Sequence, residues 1–219
     1  DDPYLRENYQ RNCIDRGLKD ANENDLIIIS DLDEIPNPDK FKNFNLKSRY
    51  SVFKQKHFYY KINLQSNATP FWLGSRICVK KYLKSPQWLR NLKFKKRPFW
   101  RLDKFRLNNI VEDGGWHFCN LKSPEELLYK YQNLCETNDP YHFKEKIEEK
   151  FLDVSEIKKR IEKRQDIIGR ADSFNKIELE EYYPKYIINT LSKFDDWISY
   201  IIYSYQKRST DSFLLCKIH

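Results

Sequence analysis

Apolar and polar positions divide the chain into segments of different period. Leu26, Ile27, Ile28 and Ile29 form an unbroken aliphatic run, which predicts a strand buried on both faces, as in a parallel sheet. Tyr50 to Leu64, YSVFKQKHFYYKINL, alternates apolar and polar residues and is rich in aromatics, so it predicts one long strand or a hairpin. Phe71 to Gly74 and Ile77 to Val79 predict a further short strand segment. A helical spacing governs the two ends. At the front, Asp2 as N-cap and Pro3 at the first helical position open a helix whose buried stripe is Tyr9, Cys13 and Ile14 and whose end lies near Gly17. Beyond Ser123, a capped helix reaches Cys135, and Ser155 to Ile168 carries a stripe of Ile157, Ile161, Ile167 and Ile168. An apolar, aromatic segment from Tyr186 to Tyr205 completes the pattern. These periods predict a single α/β domain over residues 1–219, with 123–219 mainly helical.

The aliphatic run ends where carboxylates begin. Asp31, Asp33 and Glu34 place three acids in four residues, and Pro36 and Pro38 prevent a regular strand from continuing. The carboxyl end of a buried strand is where open α/β sheets bind ligands. Like charges at this spacing call for a cation, and a hard divalent metal is the natural one. On an extended or turning backbone Asp31 and Asp33 would face the same side, with Leu32 turned into the core. The plainer alternative is a solvated turn whose acids merely cap the next element. A second stretch, Glu112-Asp113-Gly114-Gly115-Trp116-His117-Phe118, sets a carboxylate and an imidazole around two glycines that let a ligand approach the backbone. Taken alone it also fits a tight turn leading into a strand from Trp116 to Asn120 with a satisfied histidine.

Charge and composition narrow the partners. The net charge of +8 is spread along the chain, which suits an anionic ligand: a phosphate-bearing small molecule, nucleic acid or anionic lipid. Lys84 to Arg106 interleaves Trp88, Phe94, Phe99 and Trp100 with basic residues, as a base-stacking surface or a loop with aromatic anchors would. No helix-turn-helix, RNP or finger pattern accompanies it, so nucleic acid is not expected. Arg6, Arg11 and Arg16 read as solvated, with a phosphate contact as the sharper alternative. No apolar run approaches the roughly 20 residues of a membrane span. The five cysteines, Cys13, Cys78, Cys119, Cys135 and Cys216, show no CxxC spacing and indicate neither a disulfide framework nor a zinc site. The absence of methionine and the opening Asp1-Asp2 lead us to expect a chain that starts within a longer protein, its upstream strands missing. Targeting is therefore unread, and the cytoplasm is the default expectation.

With both motifs placed, the chain resembles glycosyltransferase family 17, the family of the β-1,4-mannosyl-glycoprotein N-acetylglucosaminyltransferase. RNCIDRGL (Arg11 to Leu18), DLIIISDLDEIP (Asp25 to Pro36), FYYKINL (Phe58 to Leu64), GGWHF (Gly114 to Phe118), RQDIIGR (Arg164 to Arg170) and Tyr183-Pro184 carry the resemblance. It implies a GT-A-like fold, a Rossmann-like mixed sheet flanked by helices. It also implies a UDP-sugar donor, UDP-GlcNAc first among them, a glycan acceptor, Mn²⁺ or Mg²⁺, and transfer with inversion. In such folds the DxD motif holds the metal on the donor diphosphate, which places Asp31 toward the ribose and metal and Asp33 on the metal. A glycoprotein-pathway member would work in the Golgi lumen.

Proximity to these motifs adds further expectations. His117 is a third metal ligand, Gly114, Gly115 and Trp116 line the donor, and Asp113 is the general base with Glu34 as its rival. Two other classes compete. A haloacid-dehalogenase-like phosphatase would also use Asp31 and Asp33, but Ile35 stands where that motif wants Thr or Val, and its later acidic pair would be Asp195-Asp196, in a helical stretch. A non-enzymatic polyanion-binding module rests on charge alone.

Overall fold

The computed structural model describes residues 3–41, 49–93, 109–134, 153–179 and 182–200. The Asp2 cap, residues 94–106 of the basic segment, and the last predicted segment beyond Tyr200 lie outside them.

The strands are β1 (Leu26–Ile29), β2 (Glu34–Pro36), β3 (Tyr50–Tyr59), β4 (Leu64–Ser66), β5 (Phe71–Val79), β6 (Asn109–Cys119) and β7 (Phe174–Lys176). They form one mixed sheet organised on β3. β5 pairs antiparallel with one edge of β3 and β6 runs parallel along the other, with β1 outside β5 and β2 outside β6. β4 folds back on β3 with Phe58 opposite Gln65, so the Tyr50 to Leu64 segment is a hairpin, and β7 adds to β4. Aromatic and β-branched residues suit this central strand because both its faces are covered.

The prediction of a β1 buried on both faces is overturned. β1 pairs antiparallel with β5; Ile27 and Ile29 are buried beside Tyr50, Val52, Cys78 and Leu89, while Leu26 and Ile28 are 43% and 36% exposed. One face of an antiparallel edge can meet water, so a continuous aliphatic run does not require two cores. Helix α1 (Pro3–Asn12), extended by a 3₁₀ turn over Cys13–Leu18, also departs from expectation. Tyr9 and Ile14 are exposed, and Cys13 is not buried either.

The other helices cover the sheet. α2 (Pro86–Arg90) drops Leu89 into the core. α3 (Pro124–Asn133) starts at the predicted capping box, Ser123 with Glu126, and buries Leu127 and Tyr131. α4 (Val154–Glu162) is capped by Asp153 and stops before Ile167, which is buried from a loop instead. That loop holds RQDIIGR: the buried Asp166 accepts from the backbone of Ile168 and Arg170 and from the Arg170 guanidinium, and Ile167 N–H donates to the Tyr60 hydroxyl. α5 (Lys185–Asn189) and a 3₁₀ turn over Leu191–Trp197 close the other face, where Tyr183 and Ile187 pack on Phe58 and Phe118. Each fully buried aromatic or leucine here contributes about 2 kcal/mol. No helix among the described residues is long and apolar enough to cross a membrane.

Candidate active site

The acid turn carries the chain from β1 across the sheet to β2. Glu34 N–H donates to the Asp31 carbonyl and closes it, leaving Leu32 fully exposed at the tip. Leu32 is therefore not in the core, and Asp31 and Asp33 do not share one direction. The backbone here is a turn, to which the alternation of an extended strand does not apply.

Each acid has its own partner. Asp31 accepts from Arg90 Nη2 at 2.6 Å and from Arg11 Nη2 at 3.3 Å. Glu34 has a fully buried side chain: Oε1 accepts from the same Arg90 nitrogen at 2.5 Å and from Trp72 Nε1 at 2.9 Å, and Oε2 from Ser75 Oγ at 3.2 Å. Arg90 also donates to the Gly74 carbonyl. A Cβ at Gly74 would lie 1.7 Å from Gln55 Oε1 and 3.0 Å from the Glu34 carboxyl carbon, so a larger residue there must displace the buried Gln55 amide. Two arginines thus supply positive charge that the sequence reading assigned to a metal. Glu34 is a saturated anchor of the turn, which removes it as a general base.

Asp33 turns the other way. Its Oδ2 lies 3.3 Å from His117 Nε2, brought there because β2 pairs with β6 with Glu34 opposite His117. Burial would raise the Asp33 carboxyl, but the hydrogen bond and charge of His117 outweigh it and hold the group below its ordinary value. The His117 ring stacks on His57 of β3 and packs beside Trp72. Burial, reinforced by His117, pushes His57 down to about 4, so it is neutral at pH 7.

The second motif is mostly structural. A Cβ on Gly115, whose φ is +129°, would lie 2.0 Å from the Ile35 carbonyl oxygen, and one on Gly114 would meet the backbone of Phe53 and Lys54. These glycines admit neighbouring strands, so they do not line a donor. Trp116 is 5% exposed and packs with Phe58, Phe118 and Tyr183, so it belongs to the core. Asp113 is exposed at a kink with φ +48° and pairs with Lys40. Phe118 N–H meets the Asp33 carbonyl, and Asp113 lies back along β6 on the order of 15 Å away. That separation takes it out of reach as a base acting beside the acids.

Of the three expected metal ligands, the fold brings Asp33 and His117 together and turns Asp31 to the arginines. The oxygen donors of Asp31 and Asp33 suit a hard divalent ion, and their side chains are 34% and 36% exposed at the turn. Asp33 is the freer of the two. A cleft of about 490 Å³ beside Asp31 is lined by Glu7, Gln10, Arg11 and Ser30. A larger cavity of about 730 Å³, with Tyr60, Lys61, Lys122 and Trp197 in its wall, includes none of these acids. In the basic segment Trp88 packs edge-on against Tyr50, and Leu89 and Arg90 are committed to core and site.

Sequence reasoning missed Arg90 and His57 and treated Arg11 as solvated. A basic residue far along the chain carries no mark of the carboxylate it will meet; only His57's place on the alternating strand hinted at a shared face. No family model, curated protein or solved structure matches the chain.

Proposed function

We propose that this chain is a metal-dependent glycosyltransferase that moves a sugar, N-acetylglucosamine by resemblance, from a UDP-sugar to a glycan hydroxyl with inversion. The observation that carries the reading is the contact between Asp33 and His117, which joins the acidic motif to the second motif through the pairing of β2 with β6. Asp33 is the metal-holding carboxylate, with His117 orienting it. Arg11, which lines the cleft beside Asp31, offers a guanidinium to a diphosphate. A divalent ion held at Asp33 would offset charge developing on the departing UDP.

Titration calorimetry of UDP and UDP-GlcNAc, with and without Mn²⁺, tests this on the protein and on Asp33→Asn. The expected result is binding that requires Mn²⁺ and is lost in the variant. Binding that ignores the metal, or no binding by the protein, overturns the reading.

A further inference from the structure

Behind the acid turn, β3 and β6 run parallel in register, with His57 opposite His117 and Tyr59 opposite Cys119. His57, His117 and Cys119 therefore gather on one face, and one ligand atom from each lies within 4.8 Å of the others. The two imidazoles are 2% and 7% exposed, their ring centroids 4.7 Å apart and nearly parallel.

Each ring has one nitrogen engaged and one idle. His57 Nδ1 lies 3.0 Å from the Thr69 carbonyl, which can only accept, so Nδ1 carries the proton and Nε2 is a bare lone pair. The Asp33 carboxylate engages His117 at Nε2, which leaves Nδ1 as the nitrogen available to a metal. Both idle nitrogens, His57 Nε2 and His117 Nδ1, are buried without a hydrogen-bond partner. Leaving a buried polar atom unmatched costs about 1–3 kcal/mol, and here two such atoms belong to stacked rings of one His-His-Cys cluster.

We infer that His57 Nε2, His117 Nδ1 and Cys119 Sγ form a binding site for Zn²⁺. The pattern is that of metal-binding histidines, whose second nitrogen donates to a carboxylate or backbone carbonyl that sets ring orientation. Two imidazoles and a thiolate suit zinc and not the hard Mn²⁺ or Mg²⁺ of the acid turn. Zinc bonds of about 2.0–2.3 Å place ligand atoms roughly 3.3–3.7 Å apart, so closure tilts the rings out of their stack by movements of about 1 Å. Binding displaces the Cys119 thiol proton to solvent. Three protein ligands leave a fourth position for water or a ligand. The inference does not rest on the transferase reading, and Asp33 acts here through His117 as a positioning residue.

Cobalt substitution tests the site without any assay of turnover. The chelator-treated protein is titrated with Co²⁺ and then with Zn²⁺, with folding followed by circular dichroism. We expect one Co²⁺ per chain, a thiolate-to-cobalt charge-transfer band, and displacement by one equivalent of Zn²⁺. Cys119→Ser, a nearly isosteric change, abolishes the band, and Asp33→Asn weakens Zn²⁺ binding about 10- to 100-fold. A water between the two nitrogens would give no such band. Absence of the band from the folded protein, or its survival in Cys119→Ser, overturns the inference. Excess Mn²⁺, which the oxygen donors of the acid turn suit, leaves the band unchanged and so separates this site from the metal of the donor.

Discussion

Replacing Arg90 with Gln removes the cation that pairs directly with the buried carboxylate of the acid turn. Arg90 Nη2 touches Glu34 and Asp31, and Nη1 donates to the Gly74 carbonyl. The Glu34 side chain is fully buried and that of Arg90 is 11% exposed, so the pair sits where removal of one partner costs about 3–5 kcal/mol. Asp31 is a third exposed, and its share of the loss is under about 1 kcal/mol because water screens it. Glu34→Gln alone costs less, since Arg90 keeps Asp31 and Gly74. In the double variant the Glu34 position no longer buries a carboxylate that has lost its arginine. Urea unfolding of the four proteins, followed by tryptophan fluorescence, gives the coupling energy directly. We expect Arg90→Gln to lose at least about 3 kcal/mol and the double variant to recover about 2 kcal/mol of it. A loss under about 1 kcal/mol for Arg90→Gln, or a double variant no more stable than the single, refutes the account of Arg90 as the charge that holds the turn.

Two further measurements probe the surrounding fold. In metal-free protein His57 has a pKa of about 4, against 6.5 for an ordinary histidine, so between these values the unfolded chain binds the proton that the fold excludes. Stability is then full above pH 6.5 and falls as the pH drops toward 4, by up to about 3 kcal/mol, a slope that urea midpoints should show and His57→Gln should remove. Gly115→Ala forces a Cβ to within 2.0 Å of the Ile35 carbonyl at positive φ and should cost about 3 kcal/mol or more, whereas Gly17→Ala meets nothing within 4 Å and should stay within about 1 kcal/mol. Equal midpoints for these two variants would contradict the packing of β2 on β6.

Local patterning determined much of this protein. The capping box at Ser123, the hairpin of β3 and β4, the strand at Leu26–Ile29 and the acids that end it all rest on interactions within a few residues of one another, which a linear sequence carries. The sequence also marked Asp33 and His117 as chemical residues, though it could not say that they touch. What only the tertiary structure decided is partnership across distance. A carboxylate has no local signal for which arginine will neutralise it, and Asp31 and Glu34 share Arg90, 59 and 56 residues away. The same holds for the parallel register that sets His57 beside His117, and for the strand contacts that require Gly114 and Gly115. Alternation says which residues share a face of a strand, but the strand lying alongside is chosen by the packing of the whole sheet.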